Sequence, residues 1–80
     1  MAHHLDDYEH VISHPYHYTA GDIECIDAIR ASLGQEAFID FCRGQVFKYM
    51  WRARLKNSLV ENLKKAQWYA NKALEEAQKR

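Results

Sequence analysis

Three cations recur every four residues in this chain, Lys48, Arg52 and Lys56, and on a helix that spacing places them along one stripe, with Arg43 and Arg54 nearby. Like charges at this spacing repel by a few tenths of a kcal/mol per pair, so the stripe calls for compensation by acidic side chains or by a bound anion. A solvated basic edge near a helix C-terminus, where the macrodipole favours cations, accounts for the same residues, and residue types alone leave both readings open. Tyr49 and Trp51 tilt the balance toward a ligand. Aromatic faces beside guanidinium groups suit a base stacked above its phosphates.

A second group of titratable residues precedes that stripe. Glu24 and Asp27 are three apart, so on a helix they share one side, where paired carboxylates can hold a divalent cation or take a proton. An exposed acidic pair near a helix N-terminus also needs no function. His14 and His17 lie a short chain distance upstream. His14-x-x-His17 without a second such pair is a weak metal signal, and with Tyr16 and Tyr18 it reads equally as a loop clamped by hydrogen bonds and ring packing. No metal site is assigned to any residue, and His3-His4 reads as solvated.

Missing motifs narrow the chemistry. Glycine occurs only at 21, 34 and 44, so there is neither a GxxxxGK phosphate loop nor a dinucleotide GxGxxG. The serine, threonine and histidine residues form no nucleophile motif. Eleven Lys and Arg balance eleven Asp and Glu, so no global field draws the chain to nucleic acid or to an anionic membrane. No apolar run approaches the roughly 20 residues of a membrane span, and the N-terminus lacks a secretory stretch. Cys25 and Cys42 fall among apolar neighbours and read as buried thiols of a reducing cytoplasm.

These residues need elements to position them. Residues 1–13 carry too few apolar positions to order themselves and read as an arm, followed by one helical domain over 14–80 that opens with an extended loop through Gly21. Asp22 suits the cap of a first helix whose Ile23, Ile26, Ile29 and Leu33 make one apolar face before Gly34 stops it. A second helix runs from about Gln35 to Leu55, with Phe38, Phe41, Cys42, Val46, Tyr49 and Met50 spaced for burial. Gly44 in its middle costs about 1 kcal/mol relative to alanine, which points to close approach by another helix or a ligand. Ser58 with Glu61 has the form of a capping box opening a third helix, striped by Leu59, Leu63, Ala66, Ala70, Leu74 and Ala77, with a fraying tail from Glu75 to Arg80. The expected fold is therefore all-α, three helices with an N-terminal arm and loop. Eighty residues bury only about 60% of their unfolded surface, so a homo-oligomer using the third helix is expected.

The order of these elements resembles a known family. His14-Pro15-x-His17-Tyr18, Gly21-x-Ile23-Glu24-x-Ile26-Asp27, Phe41-Cys42-Arg43-Gly44, Lys48-Tyr49-x-x-Arg52 and Glu61-x-Leu63-x-Lys65-Ala66-x-x-Tyr69 resemble a small phage and prophage family, domain of unknown function family 3310, whose members are often labelled nucleotide kinase-like. The resemblance implies phosphorylation or binding of deoxynucleoside monophosphates without a phosphate loop, in the host cytoplasm. By position it marks His14, His17, Tyr18, Glu24, Asp27, Lys48, Tyr49 and Arg52 as site residues. The chain departs from the pattern at Gln45, where asparagine is common, and at Asn62, where an acid is common. The second departure counts against metal assistance.

Three functional readings follow. In a nucleotide kinase, His17, Glu24 and Asp27 would serve catalysis, while His14, Tyr18, Lys48, Tyr49, Trp51, Arg52 and Lys56 bind nucleotide; ATP and Mg2+ are the candidate cofactors. In a binder without turnover, a phage protein sequesters a host nucleotide signal as an anti-defence factor. An all-helical nucleoside triphosphate pyrophosphatase ranks last, because such sites need more acids than Glu24, Asp27, Glu36 and Asp40 supply. A helical interaction module is the fallback if no nucleotide binds.

Overall fold

The structure is a computed structural model that describes residues 19–20 and 23–80. Two short strands, β1 (Thr19–Ala20) and β2 (Ile23–Glu24), precede three helices, α1 (Cys25–Leu33), α2 (Gln35–Trp51) and α3 (Leu59–Gln78). The described chain is mostly helical, as expected. Its contacts divide between Ser32 and Leu33, so the two sides of that break are described separately. The expected arm over 1–13, the His14–Tyr18 loop and Asp22 lie outside the described residues.

Before the break, β1 and β2 pair antiparallel, Thr19 with Glu24 and Ala20 with Ile23. This corrects the expected start of the first helix. Ile23 and Glu24 are extended, and α1 begins at Cys25. β-branched Ile23 suits a ladder, and pairing with Thr19 and Ala20 overrides the helical spacing of the isoleucines. Gly34 adopts a φ of 84°, the left-handed region that lets one helix stop and the next begin without a linker.

After the break, α2 and α3 form an antiparallel hairpin. Its core is Phe38, Ile39 and Cys42 of α2, Ala53 of the turn and Ala66 of α3, with Asn62 and Glu76 also buried. Phe38 stacks toward Phe41, 6.1 Å between centroids, and Phe41 meets Tyr69 edge-on at 6.3 Å. Expectation and structure agree on Phe38 and Cys42, but Met50 is exposed. Of the α3 stripe only Ala66 is buried, while Leu63, Ala70 and Leu74 are exposed. Asn62, Ala66, Tyr69, Ala73 and Glu76 are the positions that meet it, one row over on the helix surface. Gly44 also departs from expectation: a Cβ built there meets nothing within 4 Å.

The turn is built by side-chain hydrogen bonds. α2 ends at Trp51 rather than Leu55, and Asn57 takes a φ of 63°, a left-handed conformation that asparagine tolerates. The Ser58 hydroxyl then accepts from the Glu61 backbone N–H at 2.9 Å, the expected N-cap. Beneath the turn, fully buried Asn62 donates through its side-chain amide to the carbonyls of Arg52 (3.4 Å), Ala53 (3.3 Å) and Lys56. The departure at Asn62 thus lies inside the turn, against carbonyl oxygens. At the open end, Gln35 donates to the Glu76 carbonyl at 3.2 Å, and Arg80 meets Glu36 at 2.8 Å. The tail expected to fray is therefore tied down. No helix among the described residues is long and apolar enough to cross a membrane.

Two measurements check this account. Asn62→Leu keeps the branched shape of the side chain but removes the buried donor to the turn carbonyls, so it should destabilise by about 1–3 kcal/mol in denaturant titration. An unchanged midpoint would show that the clamp contributes nothing. Burial pushes the Cys42 thiol from 9.0 up to about 11, with Lys72 opposing and Glu76 reinforcing the shift. Between those values the unfolded chain sheds its thiol proton before the folded one does, so stability falls as pH rises from about 9 to 11. Cys42→Ala should flatten that part of the stability profile; an unaltered slope would refute the assignment.

Candidate functional site

On one flank of the hairpin, three cations gather around a single ring. Tyr49 sits in the last full turn of α2, half-buried, and its ring stacks on Tyr69 of α3 at 6.0 Å with an 11° interplanar angle. The Lys48 ammonium lies 4.6 Å from the Tyr49 centroid, the Arg52 guanidinium 5.5 Å and the Lys65 ammonium 5.5 Å. Each such contact is worth about 0.5–1 kcal/mol at an exposed site, so the ring offsets part of the repulsion among the three.

Compensation by acids is uneven. Lys65 pairs with Glu61 one turn back, at 3.6 Å. Among the described residues neither Lys48 nor Arg52 forms an ion pair, and the Arg52 Nε is buried without a hydrogen-bond partner. A buried donor left unmatched costs about 1–3 kcal/mol, which an anion within reach would relieve. Arg43, also near the stripe, is held by Asp40 at 3.0 Å.

The end of α2 at Trp51 rearranges the expected stripe. Lys56 falls in the turn, where its carbonyl serves the Asn62 clamp, and Lys65 of α3 joins Lys48 and Arg52 around the ring instead. Sequence reasoning missed Lys65 as a site residue. Its signal was present: Glu61, Lys65 and Tyr69 are four apart, so the capping box at Ser58 fixes all three on one face of α3.

Beside the cations, Phe47 and Trp51 stack at 6.0 Å and stand 68% and 72% exposed. With Lys48 and Arg52 they line an open depression of about 430 Å³. Exposed indole and two cations without acidic partners among the described residues form a surface that can take a planar ring and an anion together. A second depression, about 570 Å³, lies against the turn and is lined by Met50, Trp51, Ala53, Arg54, Leu55, Leu59 and Leu63. Trp51 borders both.

The other expected site residues belong to the part before the break. Glu24 lies in β2 and Asp27 in α1, so the two do not share a helix face as expected. Asp27 faces Arg30 at 3.9 Å. Glu36 and Asp40, weighed for a pyrophosphatase, serve Arg80 and Arg43. Among the described residues no three His, Cys, Asp or Glu side chains cluster as metal ligands. His14, His17 and Tyr18 lie outside the described residues.

A family profile described as "Protein of unknown function (DUF3310)" matches residues 12–71. The chain is also similar to the Gene 1.7 protein of Enterobacteria phage T3, 40% identical over 62 residues that cover 72% of this chain and 38% of that protein. It thus spans well under half the length of that relative. No solved structure matches.

The crowding of cations has a measurable signature. Salt screens repulsion between exposed charges, so the melting temperature should rise with ionic strength, and Lys48→Gln should reduce that rise. An identical salt response in the variant would mean that Lys48 is already compensated.

Proposed function

The chain belongs to the DUF3310 family, and we propose that it binds a nucleoside phosphate at the Lys48 and Arg52 end of its helical hairpin. One observation carries this reading: Lys48 and Arg52, without acidic partners among the described residues, converge with Lys65 on Tyr49 beside an exposed indole. Arg52 takes the phosphate through its fork, Lys48 and Lys65 add point charges, and Trp51 stacks the base. The family resemblance directs the choice of ligand to deoxynucleoside monophosphates.

Phosphoryl transfer to such a ligand is the stronger form of the proposal. It requires a donor, ATP with Mg2+, in line with the acceptor, and the depression that Lys48 and Arg52 line, about 430 Å³, is at the small end even for a single ligand. Turnover therefore requires subunits of a homo-oligomer to share the site. In that arrangement His14, His17 and Tyr18 of one copy face the cations of another, and Glu24 or Asp27 orients the acceptor or the magnesium. Binding without transfer, as a factor that sequesters a nucleotide signal, needs the depression alone.

Thermal shift against nucleoside mono-, di- and triphosphates and cyclic nucleotides, with and without magnesium, tests binding. A ligand at a hundred times its dissociation constant should stabilise by about 2.7 kcal/mol. Arg52→Ala should abolish the shift while leaving the free protein near wild-type stability, and Arg52→Lys should weaken it. Absence of any shift at millimolar nucleotide would replace this reading with a helical interaction module. Transfer of labelled phosphate to a deoxynucleoside monophosphate then separates kinase from binder.

A further inference from the structure

We propose that the apolar flank of the hairpin is a self-association surface, covered by the same flank of a second copy of this chain. Met50, Trp51 and Leu55 from the end of α2 and its turn, with Val60, Leu63 and Leu74 of α3, are 42–76% exposed. Met50, Trp51, Leu55 and Leu63 line one depression, Val60 is a turn from Leu63, and Leu74 returns to the same face of α3 three turns further on. At about 200 Å² per large side chain, these fractions leave about 700 Å² of apolar surface in water. That exceeds the roughly 300–600 Å² patch of an ordinary monomer and comes near the roughly 800 Å² that one partner gives to a standard interface.

The occupant follows from what else holds the chain together. Five apolar residues make the buried core, both cysteines are free thiols, and no metal-ligating cluster occurs among the described residues. Scaffolds below about 70–80 residues with so small a core use disulfides, a metal or oligomerisation, and only the last is left for the described part of this one. A second copy needs no complementary partner to be made, since a two-fold axis matches the flank to itself. The formal net charge of zero sets no global repulsion between copies. The one charged residue lining the depression, Arg54, is exposed and can keep its guanidinium in water at the rim. Because Trp51 borders both depressions, the second copy stands beside the cation site.

This deepens the shared-site reading above, and its test is made without nucleotide so that either can fail alone. Light scattering after size exclusion should give the ligand-free chain a mass at least twice its 9.4 kDa. Leu55→Asp and Val60→Asp should shift that mass toward the monomer, with helix content and the slow alkylation of Cys42 retained. If a variant unfolds once separated, the wild-type melting temperature must instead rise with protein concentration while that of the variant does not. A monomeric wild type at tens of micromolar, an unchanged mass in both variants, or a concentration-independent wild-type melt would each overturn the proposal.

Discussion

The hairpin depends on one buried amide. Asn62, in the first turn of α3, reaches under the turn and donates to the carbonyls of Arg52, Ala53 and Lys56, all beyond the last residue of α2. The carbonyls at the end of α2 itself take backbone N–H groups of the turn, Lys48 and Met50 from Arg52 and Met50 also from Ala53. One side chain of α3 thus gathers the whole connection, which fixes where α3 begins relative to α2 and which residues face one another along the pair. Tyr69 meets Tyr49 and Lys65 joins Arg52 because Asn62 holds that register.

Much of this was legible in the chain. The three helices, the stop at Gly34, the cap at Ser58 and the burial of Phe38 and Cys42 each follow from a local signal: helical spacing, a glycine, or a hydroxyl three residues before an acid. Errors arose where a residue far along the chain decides the outcome. The end of α2 is set by Asn62, nine residues beyond Ala53, and no propensity of Arg52 through Leu55 announces it. Ile23 continues a helical apolar pattern, yet pairing with Ala20 makes it a strand. The stripe from Leu59 to Ala77 is real as a pattern, but a single helix can offer apolar residues to more than one neighbour, and α2 meets only its edge.

The site shows the same division. Lys48, Tyr49 and Arg52 were visible as cations beside a ring on one stretch of helix, whereas Lys65 entered through the fold. Tyr49 explains how the cluster is tolerated: a ring face turned toward ammonium and guanidinium groups supplies a weak, uncharged counterweight. A carboxylate in that place would pair with one of the cations and reduce what an anion has to gain.

The ties at the two ends of the hairpin carry a mechanical consequence. With Asn62 closing the turn and Gln35, Glu36 and Arg80 closing the opposite end, α2 and α3 are sides of a frame with no loose corner. Helices ordinarily melt inward from their tips; here each tip is held by a contact to the other helix. The frame therefore opens as a whole or not at all.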